Sequence, residues 1–92
     1  MEYIVVLNSE EMGSDVELGT ILLKGFLRKI LEKDTLPKAL VLYNAAVKLP
    51  FDETILEIIK EYDSNQIEIL SCGTCLDFYD LEVKVGIRST MQ

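Results

Sequence analysis

The chain has 92 residues, with 16 acidic and 9 basic side chains, a formal net charge of −7 and no histidine. Apolar residues make up 49% and charged ones 27%, the profile of one globular domain over residues 1–92 rather than of a disordered chain. The acidic balance repels phosphate backbones and anionic bilayers, so neither a nucleic-acid nor a membrane partner is expected.

Runs such as Ile4–Leu7 and Ala39–Tyr43 are far below the ~18 apolar residues of a membrane helix. No basic segment precedes a cleavable apolar stretch, because Met1-Glu2-Tyr3 leads straight into a strand-like run. A cytoplasmic protein is the expectation. The absence of histidine removes Cys–His and Ser–His dyads and mixed Cys/His zinc sites.

Tyr3–Leu7 (YIVVL) is short, continuously apolar and rich in β-branched residues, and Asn8-Ser9 ends it. It reads as a strand buried on both faces. After Gly13, Ser14-Asp15-Val16-Glu17 fits a capping box, with the Ser14 hydroxyl on the Glu17 amide and the Glu17 carboxylate reaching back. The helix that follows carries Leu18, Leu22, Phe26 and Ile30 at four-residue steps with Leu23, Leu27 and Leu31 alongside, a wide apolar stripe. Gly19 and Gly25 lie inside it, each costing up to ~1 kcal/mol relative to alanine. Close packing of the helix onto a sheet is the explanation adopted for both.

Thr35-Leu36-Pro37 breaks the helix, and Ala39–Tyr43 (ALVLY) is a second buried-type strand. Residues 44–50 read as a loop with one helical turn. Asp52 is the N-cap of a helix to about Tyr62, with Ile55, Leu56, Ile59 and Tyr62 on its inner face. Asp63-Ser64-Asn65 turns the chain. Gln66–Ser71 is a third strand, Thr74–Tyr79 a short helix and Val83–Ile87 a fourth strand, interrupted by Gly86.

This alternation implies an α/β domain with a mostly parallel, four-stranded sheet. No helix follows the fourth strand, so a neighbouring subunit, or chain beyond Gln92, is expected to cover part of one sheet face. In open parallel sheets, ligands and reactive groups gather beyond the carboxyl ends of the strands. Those ends are Asn8-Ser9, Tyr43-Asn44 and Ser71-Cys72, and the loop through Met12 borders the same rim. The candidate ligand-binding residues are therefore Asn8, Ser9, Met12, Asn44, Gly73 and Thr74. For the two asparagines, turn formation after a strand is the competing role.

The only cysteines, Cys72 and Cys75, sit in IEILSCGTCLDFYD. A strand running into Cys-Gly-Thr-Cys and then a helix puts Cys72 at the N-cap or first turn, where free amide N–H groups favour a thiolate. Gly73 lets the backbone approach closely. Cys75 lies on the same helical face, while Asp77 and Asp80 nearby oppose ionisation. Four readings stand side by side. The two can be inert buried thiols, a thioredoxin-like redox pair, or half of a zinc site completed only across a dimer. The fourth is a sulfur relay in which Cys72 takes sulfur as a persulfide and Cys75 displaces or protects it. The thioredoxin pattern fits poorly, because the motif comes late and both prolines precede it. The relay calls for no histidine, metal or cofactor.

Four stretches carry a family resemblance: NSEEMG at Asn8–Gly13, ELGTILLKGFL at Glu17–Leu27, LPKALVLYNAAVKL at Leu36–Leu49 and EILSCGTCLDFYDL at Glu68–Leu81. They span most of the chain, which resembles the DsrE-like domain of the YedF group, sulfurtransferase-like proteins associated with selenium metabolism. The resemblance implies a three-layer α/β/α domain that assembles as a homo-oligomer. It implies that Cys72 carries a persulfide and that the partner is a sulfur or selenium donor or acceptor protein, such as a TusA-like one. Cys75 belongs to the narrower CGTC pattern, which leaves its role open. The N-terminal TusA-like domain usual in the YedF group, and the further C-terminal helix of many members, have no counterpart in the sequence.

Overall fold

The computed structural model describes residues 2–83 and 87–90. Strands β1 (Ile4–Leu7), β2 (Ala39–Leu42), β3 (Glu68–Cys72) and β4 (Arg88–Thr90) lie side by side in that order, each neighbouring pair parallel. Between them run α1 (Val16–Leu31), a 3-10 helix (Asn44–Phe51), α2 (Glu53–Ser64) and α3 (Gly73–Phe78). The chain is thus α/β with a parallel sheet. The strand expected over 83–87 is displaced towards the C-terminus. Val83 and Ile87 lie outside strands, residues 84–86 fall outside the described set, and pairing with β3 begins at Arg88. Among the described residues no helix is long and apolar enough to cross a membrane.

The sequential strand order has a geometric consequence. Crossovers between parallel strands are almost always right-handed, so strands laid down in one direction send every connection over the same face. Burial agrees. Leu7, Leu40, Leu42 and Ile69 share one core with Leu23, Leu27 and Ile30 of α1 and with Ile55, Ile59 and Tyr62 of α2. In the register Leu7 neighbours Leu42, and Leu40 neighbours Ile69. Alternate side chains point the other way, where Val6, Val41 and Leu70 form a row. Ile4 and Val6 on that face are 54% and 48% exposed. β1 is therefore not buried on both faces as YIVVL suggested, because an apolar run does not report whether a second layer exists.

The start of α1 is capped by Asp15 rather than Ser14: Asp15 Oδ1 accepts from the Leu18 N–H at 2.8 Å. The wide apolar stripe divides. Gly19, Leu23, Leu27 and Ile30 turn inward, while Leu18, Leu22 and Phe26 are exposed. A Cβ on Gly19 would stand 2.6 Å from the Met12 carbonyl oxygen and 2.7 Å from Glu11 Cβ. Gly19 thus admits the β1–α1 loop, not the sheet, and its carbonyl accepts from the Met12 N–H at 3.1 Å. Gly25 has nothing within 4 Å of an added Cβ, so packing onto the sheet does not account for it.

Residues 44–51 are not a loop with one turn but a 3-10 helix that buries Ala46, Val47, Leu49 and Pro50. Asp52 caps α2 as expected, accepting from the Thr54 and Ile55 amides at 2.9 and 3.1 Å. Ile58 joins Ile55, Ile59 and Tyr62 on the buried face of α2, whereas Leu56 is half-buried. The wholly buried Tyr62 hydroxyl donates to the Leu27 carbonyl at 2.6 Å, tying α2 to α1. Burial, and secondarily the charge Tyr3 would carry, push the Tyr62 pKa far above the ordinary tyrosine range, so the hydroxyl keeps its proton.

Urea unfolding checks both contacts. Tyr62→Phe keeps the ring and loses the hydroxyl, and stability falls by about 1 kcal/mol. Gly19→Ala must displace the Met12 backbone and costs about 1–3 kcal/mol. An unchanged midpoint for Gly19→Ala would mean that the loop yields freely.

Candidate functional site

β3 ends at Cys72, and the same residue is the N-cap of α3. Its backbone is extended (φ −64°, ψ 121°), so the chain passes from strand to helix at one residue and Gly73 and Thr74 form the first helical turn. Leu7, Leu42 and Ser71 are in register, which sets Asn8, Tyr43 and Cys72 at the start of one rim.

Both cysteines are free thiols and half-buried. The Cys72 sulfur has three donors in reach, the Cys75 amide, the Cys75 thiol and the Thr74 amide, though none closes a strict side-chain cap on α3. The largest single influence on Cys72 is burial, which pushes its pKa up. The three donors together outweigh it, and the net shift is downward. For Cys75 burial again pushes up, and the Asn44 amide opposes it. The Cys72 sulfur adds to the rise, both by accepting the Cys75 proton and by its negative charge, so Cys75 ends above the ordinary thiol range. The two shifts run in opposite directions, so the proton shared by the pair is held preferentially at Cys75.

Asn44 enters through its backbone. Its N–H donates to Cys75 Sγ at 3.1 Å, and its φ of +53° is the left-handed conformation that asparagine tolerates better than most residues. The result is a short chain of polar hydrogens, from the Asn44 amide to the Cys75 sulfur and from the Cys75 thiol to the Cys72 sulfur. Asn8 is exposed at the end of β1, and Ser9 Oγ accepts from the Glu11 N–H at 3.3 Å, which is turn chemistry. Met12, in the β1–α1 loop, lies against α1 instead, bordering a shallow groove with Ile21, Leu22 and Gly25. The structure therefore clusters Cys72, Gly73, Thr74, Cys75 and Asn44, sets Asn8 and Ser9 along the same rim, and turns Met12 away from the cysteines onto the outer side of α1.

Three residues with no part in the sequence reading also border this rim. Lys48 Nζ lies 3.7 Å from Glu10 Oε1 and 4.3 Å from the centre of the Tyr79 ring. It thereby links the β1 loop, the 3-10 helix and the end of α3. Phe78 packs edge-on against Tyr79 at 5.1 Å and is 81% exposed. The adjacent aromatics in LDFYD are the one sequence signal that could have drawn attention to them. Among the described residues no three His, Cys, Asp or Glu side chains gather as a metal ligand set.

Comparison of the chain with models of protein families, with curated proteins and with solved structures returns no match.

Site-resolved alkylation against pH tests the pairing of the thiols. Cys72 should react as a thiolate below the ~8.5 of a free thiol, slowing only as pH falls through its lowered pKa. Cys75→Ala removes one donor, so the Cys72 profile should move to higher pH. A profile unmoved by Cys75→Ala would show that the thiol–thiol contact contributes nothing.

Proposed function

We propose that the domain is a small sulfur or selenium relay of the DsrE-like kind, with Cys72 as the acceptor thiol and Cys75 as its accessory. The observation that carries this reading is the position of Cys72 at the end of β3 and the N-cap of α3, with Cys75 beside it held by the Asn44 amide. This setting favours the thiolate at Cys72 and the protonated form at Cys75. A thiolate at a strand end is the minimum equipment for group transfer between sulfurs. It attacks the terminal sulfur of a donor persulfide, the donor S–S bond breaks, and the donor leaves as its thiolate while a new S–S bond forms on Cys72. Electrons balance without an oxidant, and passage to an acceptor thiolate repeats the exchange. Selenium in the terminal position follows the same displacement. The raised pKa of Cys75 keeps its proton in place beside the charge on Cys72.

The relay would work in the cytoplasm as a homo-oligomer, exchanging with a donor or acceptor protein such as a TusA-like one. Phe78, exposed three residues beyond Cys75, is the aromatic that such a partner would cover. The three-layer arrangement implied by the resemblance would be completed over Val6, Val41 and Leu70 by a neighbouring subunit or further chain. A non-catalytic interaction module is the second reading, favoured by the apolar side chains that α1 leaves exposed. Thiol–disulfide exchange is a third, favoured by the Cys72–Cys75 contact.

The deciding experiment treats reduced protein with a small persulfide donor and follows bound sulfur by intact mass and persulfide labelling. Wild type and Cys75→Ser should gain sulfur, and Cys72→Ser should not. Labelling that survives loss of Cys72 removes the assignment. Slow, ordinary thiol reactivity with no labelling favours the interaction module, and rapid reduction of insulin disulfides favours the oxidoreductase.

A further inference from the structure

We infer that the outer face of α1 is a homotypic interface, on which a second copy of this chain packs its own α1 in antiparallel orientation. This gives a surface to the homo-oligomer of the preceding reading and is independent of the sulfur chemistry.

The first observation is a second apolar stripe. Leu18, Ile21, Leu22, Gly25 and Phe26 recur at three- and four-residue steps on the side of α1 turned away from Leu23 and Leu27. Leu18 is 53% and Ile21 66% exposed. The inner stripe already supplies the core of the domain, and among the described residues this outer one is bordered by Met12 of the β1–α1 loop but left exposed. A contiguous apolar patch on a helix marks an interaction surface.

The second observation is Gly25. A glycine inside a helix is unfavourable relative to alanine, and nothing within 4 Å of an added Cβ requires it. It stands at the floor of the shallow groove bordered by Ile21, Leu22 and Phe26. A missing side chain in the middle of an exposed apolar stripe lets another helix approach backbone to backbone. Ile21 of the second copy is a side chain of suitable size to fill the space.

The third observation is charge, and it selects the occupant. Copies carrying −7 repel one another, so they can meet only where the local balance differs. Within Val16–Leu31 there is one acidic residue, Glu17, against the basic Lys24, Arg28 and Lys29. Lys24 reaches Asp52 at 4.0 Å, and Lys29 reaches Glu32 at 3.7 Å in an exposed pair that holds it only weakly and leaves it open to a second carboxylate. The acid and the Asp15 cap lie at the first turn, Arg28 and Lys29 at the last. A twofold axis crossing the stripe turns this polarity into complementarity. An antiparallel pairing that sets Ile21 against Gly25 also sets Glu17 against Lys29 of the other copy, twice over. A parallel pairing would stack like charges at both ends.

Light scattering after size exclusion and sedimentation velocity, at low and high salt, test the interface. Wild type should assemble. Salt screens both the repulsion between copies carrying −7 and the Glu17–Lys29 pairs, so the gap between wild type and the single charge reversals should narrow as salt rises. Gly25→Leu, whose Cβ has open space around it, should reduce the assembly while circular dichroism shows an unchanged fold. Glu17→Lys or Lys29→Glu alone should weaken association by roughly tenfold, since each reversal spoils two symmetric pairs. The double reversal should recover most of it. Wild type that stays monomeric at every concentration overturns this interface and the homo-oligomer together. Assembly that persists unchanged in Gly25→Leu and both single reversals overturns this interface alone and moves the contact to the open sheet face.

Discussion

The organisation of this domain depends on one topological constraint: its parallel strands are laid down in a single direction across the sheet. Each crossover then passes over the same face, and α1 and α2 are pressed together there. The Tyr62 hydroxyl on the Leu27 carbonyl closes that contact where two apolar helices meet. Because the phenol is wholly buried, the bond has no competitor in water, and its loss would strand a polar group in the core. The single core built on this face includes Leu76 and Ile87, so even the last crossover is anchored to it.

The same constraint makes the rim. In-register parallel strands end level, and the residues that follow them converge on one edge. The 3-10 helix after β2 is held by its own buried apolar side chains, which fixes the Asn44 amide beside the Cys75 sulfur. Reactivity at Cys72 is therefore built from backbone positions as much as from side chains. A core residue such as Val47, remote from the chemistry by type, helps to aim an amide at a thiol. The two sulfurs share one strand–helix junction and yet differ, because Cys72 faces the free amides of the first turn while Cys75 faces Asn44 and Cys72 itself.

One-sided packing also leaves apolar surface behind. Ile4 and Val6 on the open sheet face, and Leu18 and Ile21 on the outside of α1, are exposed in a strongly acidic chain. Charge keeps such copies apart in general, so the proposed association through α1 relies on the local excess of basic side chains along that helix. The cysteine rim and the outer face of α1 are built from different elements, so a partner on one need not cover the other.

The order and type of the principal elements were legible in the sequence, as was the placement of Cys72 at a strand–helix junction. These follow from local physics: β-branched runs, three- and four-residue apolar spacing, an Asp52 cap and the backbone economy of Cys-Gly-Thr-Cys. The strand ends were likewise placed on one rim, because parallel strands leave no other choice. What the sequence could not decide is which apolar residues are inside. Leu18, Leu22 and Phe26 recur at helical spacing just as Leu23, Leu27 and Ile30 do, and only the position of the sheet and α2 separates them. Gly19 and Gly25 look alike in the chain, yet one admits a loop and the other opens onto the surface. The Asn44 amide on Cys75, the Lys48 link and the exposure of Phe78 were hidden for the same reason. Pattern records what a residue can pack against, whereas burial, pairing and the ionisation of a thiol depend on neighbours that come from distant parts of the chain.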